Sequence, residues 1–123
     1  MMATGNFRVA IADLRGRIRG LGVALIGRNG TVVAADLPLE VYPETFAIMC
    51  ATTMGAATTA NAELGRSPPE GLVFAGADST TVLRAAGRTA LLVAMVEPGS
   101  DVTMVTREIA KFATLWESRE AVS

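Results

Sequence analysis

From Thr45 to Ala62 the chain runs for 18 residues without a charged side chain, between Glu44 and Glu63. As a helix this stretch is about 27 Å long, close to the thickness of a bilayer core. Its composition argues against a membrane span: five threonines, Asn61, Gly55 and six alanines are too polar and too small. It reads instead as a helix of a globular domain, predicted over about 44–64. Placed at 100° per residue, Phe46, Met49, Cys50, Thr53, Ala57, Ala60 and Leu64 gather on one side, the side expected to lie on a sheet. Ile48, Ala51, Thr52, Gly55, Thr59 and Ala62 gather on the other. A helix face in water normally carries Lys, Glu or Arg, and this one carries none. A face of small side chains lets another backbone approach closely, so the expectation is that a second protein surface covers it. The competing cover lies within the chain, in its short first helix.

That first helix is marked by Phe7, Ile11, Leu14 and Ile18 at helical spacing, and is expected to end or break between Gly16 and Gly20. Strands are predicted at about 21–27 and 31–36. They are joined at Asn29-Gly30, a pair that tolerates the positive φ values of a type I′ turn. Pro38 and Pro43 bracket the loop into the uncharged helix, and Gly65 with Pro68-Pro69 ends it. Three more strands follow, Gly71 to Gly76, Thr80 to Ala86 and Thr89 to Val96, with turns at Asp78-Ser79 and Gly87-Arg88. A last helix is expected at 101–117, capped by Ser100 or Asp101, with Val102, Val105, Ile109, Phe112 and Trp116 on one stripe. The order α-β-β-α-β-β-β-α implies an α/β (α+β) domain with one five-stranded antiparallel sheet and helices on both faces. At 123 residues and 50% hydrophobic content the chain fits one domain, residues 1–123, with its core at about 7–117.

The chemistry this chain lacks narrows its function. It has no histidine and one cysteine, so no Ser-His-Asp or Cys-His arrangement and no His/Cys zinc site can form. It has no phosphate-binding loop. Gly20-Leu21-Gly22 leads into a strand rather than a helix and lacks the third glycine of a dinucleotide fingerprint. Cys50 lies within the apolar helix, where it is expected to act as a small core hydrophobe. The sequence thus offers no catalytic residue, no metal ligand set and no cofactor site, and the expectation is a protein that is not an enzyme. A net charge of −1 argues against a primary role in nucleic-acid binding. The first 30 residues sum to +4, through Arg8, Arg15, Arg17, Arg19 and Arg28 against Asp13, and read as a solvated helix face, with a basic patch for an anionic partner or membrane surface as the alternative. The opening Met1 to Asn6 lacks the pattern of a signal peptide, which makes a cytoplasmic location the expectation.

Taken in order, these segments resemble the Roadblock family, the dynein-light-chain-like domains that also occur widely in bacteria and archaea. The resemblance covers about residues 7–117. It rests on the hairpin Ile26-Gly27-Arg28-Asn29-Gly30-Thr31-Val32-Val33-Ala34 and on the helix ending Ala60-Asn61-Ala62-Glu63-Leu64-Gly65. Leu72-Val73-Phe74, Thr81-Val82-Leu83-Arg84 and Pro98-Gly99 complete it. It implies a profilin-like sheet and a homodimer joined edge to edge through the third strand, with the two middle helices side by side. Leu72 and Phe74 thereby join the six small-face residues as the expected dimer or partner interface. It also implies a small Ras-like GTPase as partner, for a module that activates hydrolysis or acts as a scaffold in signalling and cell polarity. Ten arginines against one lysine suit a GC-rich bacterial genome. From a different class comes a small-ligand sensor, whose pocket between helix and sheet would be lined by Met49, Met54, Met95 and Phe74.

Overall fold

The computed structural model describes residues 4–122, with side chains from Phe7 onward. Met1 to Ala3, the first half of the segment expected to lack a signal-peptide pattern, lie outside the described residues, as does Ser123. Eight elements follow the expected order: α1 (Thr4–Ile18), β1 (Gly22–Gly27), β2 (Val32–Asp36), α2 (Pro43–Glu63), β3 (Gly71–Ala75), β4 (Thr80–Ala86), β5 (Ala90–Val96) and α3 (Val102–Val122). The strands form one sheet in the order β2-β1-β5-β4-β3, with every neighbouring pair antiparallel. The two strands at its edges are therefore β2 and β3.

Period-2 alternation divides the sheet into two faces. Val23, Leu25, Val82, Leu92, Ala94 and Val96 point to one side, where they meet Phe7, Ile11, Leu14 and Ile18 of α1 and Val105, Ile109 and Phe112 of α3. Phe7 lies 6.0 Å from Phe112 and 5.0 Å from Trp116, edge on to the indole, which ties the two helices together. Ala24, Ile26, Leu83, Leu91 and Val93 point to the other side, where α2 supplies Ala47, Cys50 and Met54. Burying each large aliphatic side chain contributes about 1.5–3 kcal/mol, so the double-sided sheet is the main source of stability.

Three local features differ from the expectations. Gly30 has φ of 88°, but Asn29 does not share its positive φ, so the hairpin turn is not type I′. Gly30 N–H donates to Gly27 O and Gly27 N–H to Thr31 O, while the Asn29 side chain accepts from the Thr31 amide and hydroxyl. This is the three-residue loop with a glycine bulge, and the register of β1 on β2 shifts beside it, between Leu25 and Ile26. Helix α3 runs to Val122 rather than 117, because Glu120 is held at its end. The Glu120 carboxylate accepts from the Arg88 amide (2.9 Å), from the Thr89 amide (3.1 Å) and hydroxyl, and from Trp116 Nε1 (2.9 Å). At the start of α3 the capping residue is Asp101, which accepts from the Met104 amide at 3.1 Å. The third difference, the rotation of α2 on the sheet, defines the surface described next.

Candidate interaction surface

Helix α2 has apolar and small residues spread almost evenly around it, so periodicity alone cannot select the side that faces the sheet. The buried line is Ala47, Cys50 and Met54, with Phe46, Ala51, Ala57, Thr58 and Asn61 half-buried beside it. Of the side expected to lie on the sheet, Cys50 is buried and Phe46 and Ala57 are half-buried. Met49, Thr53, Ala60 and Leu64 are exposed, Met49 at 53% and Leu64 at 73%. That assignment is corrected: Met54 and Ala47 fill the space beside Cys50, and the helix is rotated to suit.

Of the residues expected to form the outer face, Ile48, Thr52, Gly55, Thr59 and Ala62 are exposed. Ala51 is not. It turns partly inward and lines a small pocket of about 220 Å³ with Arg28, Met54, Gly55, Thr58 and Leu91. Sequence reasoning missed Met49, Thr53, Ala56 and Ala60, which widen the exposed face. The surface is also less polar than its composition suggests. Thr52, Thr53 and Thr58 each donate their hydroxyl at 2.8 Å to the carbonyl four residues back, of Ile48, Met49 and Met54. With the hydroxyls bonded to their own helix, these side chains have no donor left for a partner.

Helix α1 does not cover this face. Its four core residues are buried on the opposite side of the sheet, against α3. Gly55 sits open, with nothing within 4 Å of where a Cβ would stand. A mid-helix glycine costs about 1 kcal/mol relative to alanine, and no contact within the chain requires it there.

Beside α2 lies the β3 edge. Leu72 and Phe74 face the α2 side of the sheet: Leu72 is half-buried against its core, and Phe74 is 45% exposed. Val73 faces the other side at 54% exposure. Gly76 N–H donates to Ser79 O and Ala85 N–H to Glu70 O, so the even-numbered residues of β3 exchange hydrogen bonds with β4. By the alternation of an antiparallel ladder, the amides and carbonyls of Gly71, Val73 and Ala75 point outward. Nothing in β3 guards this edge: it has no charge, no proline and no bulge.

The structure gathers no ligand site around Met49, Met54, Met95 and Phe74. Met49 is exposed, and Met54 packs near Leu91, four residues along β5 from Met95, a separation of about 13 Å. The free thiol of Cys50 is buried, and burial pushes its pKa up to about 11, which makes it a poor nucleophile. Among the described residues, no group of three His, Cys, Asp or Glu side chains is placed to hold a metal ion. None of the described helices is long and apolar enough to cross a membrane.

A five-stranded antiparallel sheet in the order β2-β1-β5-β4-β3, with two helices on one face and one on the other, is the Roadblock fold. Among solved structures, Myxococcus xanthus MglB superposes with a TM-score of 0.90 at 15% identity, over all of this chain and 94% of that one. A structure of MglB with a tetrameric arrangement gives 0.83 at 20% identity, over 96% and 90% of the two chains. A Roadblock/LC7 domain from Streptomyces avermitilis gives 0.86 at 13% identity, over 93% and 97%. At these identities the likeness is one of fold. No family model and no curated protein sequence matches the chain.

Proposed function

We propose that this chain is a homodimeric, non-catalytic module of Roadblock type that binds a small Ras-like GTPase, as its regulator or as a scaffold. One observation carries the reading: the outer face of α2, uncharged from Thr45 to Ala62, lies bare on the same side of the sheet as the unguarded β3 edge. A monomer gains nothing from either feature, and the exposed Ile48, Met49 and Phe74 weigh against leaving both in water. The shared fold with MglB and Roadblock/LC7 structures supports the partner class, and the tetrameric arrangement of one MglB supports self-association.

The test has two readouts. Light scattering over a dilution series through the micromolar range is expected to report a dimer, and a monomer throughout would refute the assembly. Affinity capture with the wild-type chain is expected to enrich a Ras-like GTPase over capture with Thr59→Arg. Equal recovery with both baits would refute the assigned surface, and recovery of no GTPase would refute the partner class.

A further inference from the structure

Between β2 and α2, residues 37–42 form a loop that carries two bare apolar side chains. Leu39 is fully exposed, and Tyr42 is 79% exposed. Neither is explained by the fold. Leu39 lies inside a tight turn closed by Val41 N–H, which donates to Pro38 O at 3.0 Å, a place where polar residues or glycine are usual. Tyr42 stands at the N-cap of α2, yet its side chain makes no capping hydrogen bond. Serine, threonine or aspartate there would stabilise the helix, so the tyrosine forgoes a gain the fold could have had. The loop is held from behind. Leu37 packs on the core of the α2 side, and Pro38 and Pro43 restrict the backbone at either end. A stiff loop loses little freedom when a partner covers it.

The unpaired charges of this tip are of one sign. From Asn29 to Gly65 the chain has no lysine or arginine. Asp36 is taken by Arg15, whereas Glu40 and Glu44 are exposed and make no ion pair. Arg8 shares a surface cleft with Pro43 and Glu44 but forms no ion pair there. Glu44 also suits the positive end of α2, which leaves Glu40 as the carboxylate with no role inside the chain. The place of the loop decides what can cover it. It leaves β2, four strand spacings or about 19 Å across the sheet from β3, so a second copy paired through β3 leaves it bare. Tyr42 leads directly into Thr45, Ile48 and Met49 of the exposed α2 face, so loop and helix can meet the same partner. We propose that this loop is a second contact for the small GTPase: Leu39 and Tyr42 enter an apolar depression on that partner, and Glu40 faces lysine or arginine on its rim.

This inference rests on the GTPase reading above, and the test separates the two. The Ras-like GTPase recovered by wild-type capture is purified. Its dissociation constant is measured by calorimetry against the full chain and its Leu39→Ser, Tyr42→Ser and Glu40→Lys variants, with thermal midpoints and sedimentation recorded for each. Leu39→Ser and Tyr42→Ser are each expected to raise the constant about tenfold or more. Both should sediment as wild type does, and Tyr42→Ser should hold or raise the midpoint, because serine supplies the missing cap. Glu40→Lys is expected to raise the constant about fivefold at low salt and much less at high salt. Constants unmoved by all three changes overturn the loop contact and leave the GTPase reading standing. Tighter binding by Glu40→Lys overturns the assigned partner chemistry. Losses of binding matched by a lower midpoint or by a lost dimer give the loop a role inside the assembly, and also overturn the contact. A wild type that recovers no GTPase overturns both proposals.

Discussion

At one edge of the sheet, β2 is guarded. Its last residue, Asp36, is paired with Arg15 at 2.7 Å, helix α1 lies along it, its register carries a bulge, and Pro38 follows closely. At the other edge, β3 reads Gly-Leu-Val-Phe-Ala; Pro68-Pro69 precede it, but it has no ion pair and no register shift. Chains that stay monomeric blunt both edges, because an open ladder recruits further strands. This contrast between the edges is what the proposed dimer rests on. The helices repeat the pattern, since α1 and α3 bury their apolar stripes within the chain while α2 keeps a wide apolar face outside.

The contrast is broken most severely by proline at the two neighbouring parities of β3. Leu72→Pro removes an amide bonded to β4 and leaves its carbonyl partner unsatisfied, which should cost the fold about 1–3 kcal/mol. Val73→Pro removes only an outward amide. It should leave the thermal midpoint of the dilute monomer within a few degrees, yet abolish dimerisation in light scattering. If both variants dissociate and destabilise alike, the parity assigned to β3 is wrong.

Next in size is Arg at Thr59, which places a charge on the bare face of α2. Dimer association should weaken by several kcal/mol while the isolated fold changes by about 0.5 kcal/mol. Gly55→Ala sharpens the same point in the opposite direction. It has open space around it and should stabilise the monomer by about 0.5–1 kcal/mol while loosening the dimer.

A third prediction concerns pH and leaves the edges alone. Burial alone would raise the pKa of Glu120. The hydrogen bonds from the Thr89 hydroxyl, the Arg88 amide, Trp116 and the Thr89 amide outweigh it and hold the pKa down at about 2, against an ordinary 4.5. A carboxylate depressed in the folded state adds stability that is complete above its unfolded pKa and disappears as pH falls through the folded one. Thermal midpoints should therefore decline between about pH 4.5 and 2, and Glu120→Gln should flatten that part of the curve. An unchanged slope in the variant would mean that the clasp on the β4–β5 turn contributes nothing. Smallest of all, Asp36→Ala at the guarded edge loses a partly exposed ion pair, worth about 0.5 kcal/mol, and should not alter association.

Much of this was legible in the sequence for a physical reason. Strands β1, β4 and β5 are short aliphatic runs between turn residues, and their ends fall within a residue or so of the expected places. Helix α1 declared its buried side because Phe7, Ile11, Leu14 and Ile18 stand out among polar neighbours. Helix α2 did not, because alanine and threonine surround it on every side, and the sheet-facing line passed through Met54 instead of Met49. Only tertiary contact decides such a rotation. Glu120 was invisible for a different reason. It closes a contact 32 residues away in the chain, which no local pattern records.

The most direct test is residue-resolved amide hydrogen exchange at protein concentrations above and below the dimer dissociation constant. The amides of Gly71, Val73 and Ala75 should be protected at high concentration and lose that protection on dilution, while amides along β2 exchange at the same rate in both conditions. Odd-numbered β3 amides that exchange rapidly in a sample shown to be dimeric would contradict the edge-to-edge dimer, and would move the interface away from this edge.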